Sequence, residues 1–381
     1  MPGRLLLIGA GHSHLEVLRR LILDPLPGVE LTVVSVSPLH HYSGMVPGYL
    51  QETYREEEIA IRVPDLVARA GGRFLKGCAV GIRPDRRTVQ VETGSGTVEE
   101  VPYDRVSFAI GSNTAGVDVP EIAAHVQRIK PLERVAVLRN RLQDLARSGG
   151  TVSAVVVGGG AAGVEIVLAT AAVLEKAGAP HRLTLVESGE EILPSYTPRL
   201  RRRARGLLHE RGIVVLTRRR VTTVHPESAE CDDGTRIPSL LTVWLTGAVA
   251  WPLFRDSGLP LDERGFLLVD DSLRSVADPR IFAAGDCGTL ASHPQTPKAG
   301  VYAVREGPIL WKSLKAALEG SDPPRYVPQK GFLSILNTGD ARALLEYKGL
   351  VSHSLWAWRL KDRIDRRFMA RYRERIEKGR D

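Results

Sequence analysis

The chain has 381 residues, 43% of them hydrophobic, 25% charged and 6% aromatic. That composition supplies cores for roughly two to three domains and excludes a disordered, fibrous or disulfide-stapled chain. Lys and Arg number 52 against 44 Asp and Glu, a formal charge of +8, which suits anionic lipid, nucleic acid or phosphate-bearing ligands without choosing among them.

The opening Met1-Pro2-Gly3-Arg4 enters an apolar strand at once and carries no targeting signature, so a cytoplasmic location is expected. Leu5 to Ile8 runs into Gly9-Ala10-Gly11-His12-Ser13-His14, then into a helical pattern through Leu15, Leu18, Leu21 and Ile22. The following strand, Leu31 to Val34, ends at Ser35. This first turn lacks a third glycine and its partner strand ends in serine instead of an acid, so an ordinary turn and a dinucleotide turn both fit it. A β-rich stretch follows, with Val80 to Ile82 and Val89 to Val91 about a turn at Pro84-Asp85, closing at Val106 to Ser112.

A second unit repeats the order about 150 residues on. Val155 to Val157 precedes Gly158-Gly159-Gly160-Ala161-Ala162-Gly163, a helix through Val164, Ile166 and Val167 follows, and the next strand, Leu183 to Val186, ends at Glu187. Gly158, Gly160 and Gly163 complete the spacing that turns tightly, admits a pyrophosphate and packs helix on strand. A carboxylate at Glu187 accepts from both ribose hydroxyls and repels a 2′-phosphate, which favours NADH over NADPH. Leu240 to Phe254 is too short and too interrupted by Thr246, Gly247 and Pro252 to span a bilayer. Arg280 to Ala284 leads into Gly285-Asp286, where the carboxylate either binds ribityl hydroxyls or caps a helix. Lys298 starts a helical stretch through Val301, Val304 and Ile309.

After Pro323-Pro324 the composition shifts to a tail. Trp356, Leu360, Ile364, Phe368, Tyr372 and Ile376 recur every four residues with Arg359, Lys361, Arg363, Arg366 and Arg367 around them. Such a basic amphipathic helix either lies in a membrane interface or packs its stripe on the protein with a solvated charged face. The runs Arg201 to Arg203 and Arg218 to Arg220 carry no interleaved aromatics, so no nucleic-acid partner is expected.

Together these segments resemble the pyridine nucleotide-disulfide oxidoreductase superfamily over nearly the whole chain. Within it they are most similar to type II NADH dehydrogenases and sulfide:quinone oxidoreductases, and closest to the FAD-binding oxidoreductase module that some bacteria fuse to selenide, water dikinase. The last likeness rests on Gly11 to His14, Tyr42 to Gly48, Pro297 to Val301 and Lys361 to Met369; no kinase domain follows, so selenium chemistry is not implied. The resemblance implies an α/β fold of two Rossmann-like domains with a C-terminal α-containing extension: an FAD domain over 1–115 and 248–320, an NAD(P)H domain over 116–247, and a C-terminal region over 321–381. It implies FAD contacts at Gly9, Gly11, His12, His14, Ser35, Tyr42, Gly111, Gly285, Asp286 and Lys298. For NAD(P)H it implies Gly158, Gly160, Ala162, Gly163, Glu187 and Gly247.

Lys298 is the expected cation at the flavin and Glu165 the expected proton-handling group, both catalytic; His40, His41 and Tyr42 are further acid candidates or surface loop. No metal is expected. His40-His41-Tyr42-Ser43 stands where disulfide reductases carry their cysteine pair, which excludes disulfide reduction. Cys78, Cys231 and Cys287 lie far apart and read as small buried or turn residues. The implied activity is hydride transfer from NAD(P)H to FAD and two electrons onward to a quinone-type acceptor; a monomer or homodimer is expected, either free in the cytoplasm or peripheral on the cytoplasmic membrane face through the 356–376 helix. The alternatives are oxidation of a sulfide or selenium compound with quinone, and a redox-sensing flavoprotein with little turnover.

Overall fold

The structure is a computed structural model that describes residues 3–94, 96–130 and 134–373. Leu5, Leu6, Leu7 and Ile8 are all but completely buried, as a strand covered on both faces must be. They form β1 (Gly3–Ile8), which pairs in parallel with β2 (Val29–Ser35) across helix α1 (His12–Leu23). After the short helix α2 (Val46–Leu50), β3 (Arg73–Arg83) joins β2 and folds back antiparallel through β4 (Thr88–Thr93) and β5 (Val98–Pro102). β6 (Arg105–Phe108) pairs with the other edge of β1.

The chain then builds a second, wholly parallel sheet. Its elements are β7 (Val126–Arg128), α3 (Arg134–Arg147), β8 (Val152–Val157), α4 (Ala161–Lys176), β9 (His181–Val186), α5 (Pro198–Glu210), β10 (Val214–Leu216) and β11 (Leu241–Trp244). The strand order is β7-β11-β8-β9-β10. Next, β12 (Ile281–Ala283) returns to the first sheet beside β6, giving the order β12-β6-β1-β2-β3-β4-β5. The two crossings run side by side, residues 113–114 pairing antiparallel with 248–249. Two Rossmann-like sheets, as the sequence implies, carry the two glycine turns at the carboxyl ends of β1 and β8.

Helix α6 (Gly300–Glu319) packs against α1. A three-stranded antiparallel sheet follows, β13 (Ser334–Asn337), β14 (Ala343–Tyr347) and β15 (Leu350–Ser354), and then α7 (Leu355–Arg373). The α7 stripe does not present one uniform face: Trp356 and Ile364 are 50% and 41% exposed, whereas Phe368 and Tyr372 are buried. Ile376 lies outside the described residues. Of the expected solvated basic face, Arg359, Arg363, Arg366 and Arg367 are exposed, whereas Lys361 turns inward and pairs with the buried Asp365 at 2.9 Å. Among the described residues no helix is long and apolar enough to cross a membrane.

Candidate active site

Backbone contact dictates the second turn. Gly158 sits at φ +111°, where an added Cβ would lie 2.3 Å from the Leu245 carbonyl oxygen, and a Cβ on Gly163 would lie 1.8 Å from the Gly158 oxygen. Gly160 and Gly247 face open space. α4 begins at Gly160 with no side chain capping it, so its first N–H groups and positive dipole end point outward past Ala162, which is exposed. Glu187, at the tip of β9, accepts the Gly159 N–H at 2.7 Å and the Gly189 N–H at 2.6 Å. Those two amides fix the carboxylate beside the turn before any ribose arrives. The runs of arginine nearby are partly tied, Arg218 to Glu190 and Arg219 to Asp233.

The first turn uses the same physics with one exchange. Cβ atoms on Gly9, at φ +84°, and on Gly11 would each come within 2.5 Å of the Ala109 carbonyl oxygen. α1 likewise starts without a side-chain cap. His14, in place of the third glycine, bonds the Gly9 carbonyl at 2.6 Å and the Ser107 hydroxyl at 2.8 Å, so both ring nitrogens fasten the turn to β6. Burial holds the His14 and His12 rings at a pKa of about 4, hence neutral. His12 lies edge-on to His40 at 4.8 Å, with Tyr42 at 5.7 Å and Phe368 at 5.8 Å. The His40 Nε2 is buried without a protein partner, a polar atom that a bound group would satisfy. Ser35 closes β2 nearly buried, and Gly111 faces open space.

Asp286 follows β12 in a single 3-10 turn and accepts from the Ser112 hydroxyl at 2.8 Å, with the Lys130 ammonium at 3.5 Å. It caps no helix by side chain. Lys298 is turned toward the Gly288 carbonyl and donates to the Thr289 hydroxyl at 2.8 Å, 4.2 Å above the Phe266 ring. Burial lowers its pKa from the ordinary lysine value. These contacts fasten the segment ahead of α6, and none joins Lys298 to Glu165.

Glu165 instead gathers a group from three distant segments. Its Oε1 accepts the Asn337 N–H at 2.8 Å, and burial pushes its carboxyl up to about 7 against the pull of Lys361. Lys361 donates to the Gly44 carbonyl at 2.6 Å and to Asp365 at 2.9 Å. Burial opposes its charge, yet Asp365 and Glu165 hold its pKa above the ordinary value. Tyr42, its hydroxyl pKa raised by burial and then by Asp365, stacks on Phe368 at 4.3 Å. Lys361, Asp365 and Phe368 lie in a segment that carries the family resemblance, but nothing in the sequence placed them beside Glu165 and Tyr42; the i, i+4 spacing of Lys361 and Asp365 was the one local sign that they pair. The cysteines hold no reactive pair: Cys231 and Cys287 are buried, Cys287 with its pKa pushed to about 11, and Cys78 is exposed with its pKa raised, chiefly by burial of the thiol. Among the described residues no cluster of His, Cys, Asp or Glu is built to hold a metal.

The profile of the family described as pyridine nucleotide-disulphide oxidoreductase matches residues 3–307. Demethylphylloquinone reductase NdbB of Synechocystis is 27% identical, over 76% of this chain and 74% of its own. The NADH dehydrogenase-like protein YutJ of Bacillus subtilis is 24% identical, over 87% of this chain and 90% of its own. In three dimensions, the sulfide:quinone oxidoreductase of Aquifex aeolicus superposes with a TM-score of 0.82, 18% identical, covering 98% of this chain and 92% of its own. NDH2 of Plasmodium falciparum in complex with NADH gives 0.81 at 15% identity, covering 99% and 100%.

Proposed function

The chain belongs to the pyridine nucleotide-disulphide oxidoreductase family, and from that premise we propose that it is an FAD-dependent NADH dehydrogenase that reduces a quinone-type acceptor. The observation that carries the reading is the pair of uncapped, glycine-lined helix starts, one at each parallel sheet, with the Glu187 carboxylate preset at the second. Each turn is drawn so close to the backbone behind it that a Cβ would strike that backbone, leaving its N–H groups facing out, and the His40 nitrogen at the first is a buried polar atom that a ligand would satisfy, so the residues present fit a dinucleotide at each. We assign FAD to residues 1–115 with 248–320, where Gly9, Gly11, Ser35, Gly111 and Asp286 would hold it beside His12 and Tyr42. NADH belongs to 116–247, at Gly158, Gly160, Ala162, Gly163, Glu187 and Gly247.

Bound FAD supplies a ring that accepts hydride from NADH and yields two electrons to the acceptor. The protein's own groups handle charge and protons. Reducing a quinone with NADH consumes one proton beyond the hydride, and Glu165, poised near neutrality, is suited to hold and release it. Burial sets that poise, with Lys361 drawing the carboxyl down and Asp365 pushing it up. His14 braces the turn, and Lys298 anchors the segment ahead of α6 through Gly288 and Thr289, from where its charge acts on the flavin as a fixed field. Trp356 and Ile364, exposed on α7, support contact of that helix with a membrane surface carrying the quinone.

Burial of Cys231 and Cys287, with the exposed Cys78 held as a thiol by its raised pKa, favours NADH over sulfide as donor. Steady-state assays with a soluble quinone test the reading. NADH should drive turnover, sulfide should not, and replacing all three cysteines by serine should leave the NADH rate within about twofold. Turnover with sulfide and none with NADH would reverse the assignment.

A further inference from the structure

Glu306 takes no part in the chemistry described above, yet it is a carboxyl group only 6% exposed. It lies on α6, and its Oε2 accepts the Gly285 N–H at 2.5 Å. Among the described residues no cation pairs with it, because the ammonium of its neighbour Lys298 is spent on Gly288 and Thr289. Desolvating a carboxyl without a counter-ion costs stability, and the hydrogen bond from Gly285 is the contact set against that cost.

One turn earlier on the same helix, Ala303 does two things. Its carbonyl accepts the hydroxyl of Ser13 at 2.7 Å, two residues past Gly11, and its methyl group lies where a Cβ on Gly285 would come to 3.1 Å. Gly307 then lets α1 approach, since a Cβ there would lie 2.9 Å from the Glu16 Cβ. Thus α6 touches both halves of the first cradle: the glycine turn through Ser13, and the Gly285–Asp286 turn through Ala303 and Glu306. Gly285 stands at φ +72°, and the hydrogen bond from its N–H is what ties that left-handed turn to the helix.

We infer that Glu306 is a positioning residue for the flavin site, an ionisable pin that holds Gly285–Asp286 in register with the first glycine turn and makes dinucleotide affinity depend on its charge. The inference rests on the assignment of FAD to that cradle. The groups facing Glu306 are Asp286 and Cys287 from the turn, Lys298 from the segment before α6, and Tyr326 from the segment after it. Burial, aided by Asp286 and resisted by Gly285 and Lys298, pushes the carboxyl up to about 7. His12 and His14 beside the cradle stay neutral through this range. Raising the pH therefore adds a negative charge beside Asp286, in the cradle that would receive an anionic dinucleotide, while Glu306→Gln keeps a carbonyl to accept the Gly285 N–H and never gains that charge.

The test is titration of the flavin-stripped protein with FAD at pH 6 and pH 8, followed by flavin fluorescence, for the natural chain, E306Q and E306A. The dissociation constant of the natural chain should rise several-fold between the two pH values. That of E306Q should change by less than about half as much and stay close to the natural value at pH 6, whereas E306A should bind roughly tenfold more weakly at both. An equal pH response in the natural chain and E306Q, or equal losses in E306Q and E306A, overturns the inference and leaves the FAD assignment standing. Failure of the natural chain to take up FAD at either pH brings down both.

Discussion

Replacing Glu165 by Gln probes the central carboxyl without disturbing its neighbours, because the Lys361–Asp365 pair at 2.9 Å persists. The carboxyl titrates near 7 in the folded chain, against 4.5 as its ordinary value. A pKa raised by folding means the folded state holds a proton that the unfolded chain has released, so stability is lost as pH rises from about 4.5 to about 7 and levels off beyond. Between pH 5 and pH 7, two pH units, that is at most about 2.7 kcal/mol at 1.36 kcal/mol per unit, because near each pKa less than a full proton separates the two states. E165Q escapes the loss. Its melting temperature relative to the natural chain should be near zero or negative at pH 5 and rise by a few degrees at pH 8. Glu306 titrates in the same window but is common to both proteins and cancels. Thermal unfolding of the flavin-free proteins across pH 5 to 8 measures the difference directly. A constant offset across the range would refute the claim that burial raises Glu165.

Glu187→Ala should relieve the repulsion of a 2′-phosphate and free the Gly159 and Gly189 amides, lowering the KM for NADPH roughly tenfold while raising that for NADH, as initial rates with both nucleotides will show. Gly158→Ala forces a methyl group onto the Leu245 carbonyl, at a cost of about 2 kcal/mol or more, and should abolish NADH binding while FAD stays bound, read by calorimetry against absorbance. Lys298→Met should remove the hydrogen bonds to the Gly288 carbonyl and the Thr289 hydroxyl and shift the flavin midpoint potential downward by tens of millivolts; a potential unchanged within error would remove the lysine from the flavin's field.

Much of the fold was legible because glycine turns are local chemistry. Gly9 and Gly158 need positive φ, the apolar runs before them need covered parallel strands, and Glu187 stands at a strand tip the spacing predicts. The return of 281–283 to the first sheet was legible for the same reason, as a strand ending in Gly285-Asp286. What stayed hidden depends on packing between distant segments. Nothing near Lys361 in sequence says that it will be buried against Gly44 and Glu165, more than 300 and nearly 200 positions away. The stripe on α7 has one period but two environments, since Phe368 finds Tyr42 while Trp356 finds solvent. His14 stands at a glycine position of the turn, and only Ser107 across the sheet shows that its ring braces that turn from within.

Mixing the FAD-loaded protein with NADH in the absence of oxygen measures whether the two cradles hold partners close enough to exchange a hydride. Loss of the flavin absorbance within the mixing experiment, and its return on adding a quinone, is the predicted result. Flavin that stays oxidised with NADH bound at Glu187 would contradict the account.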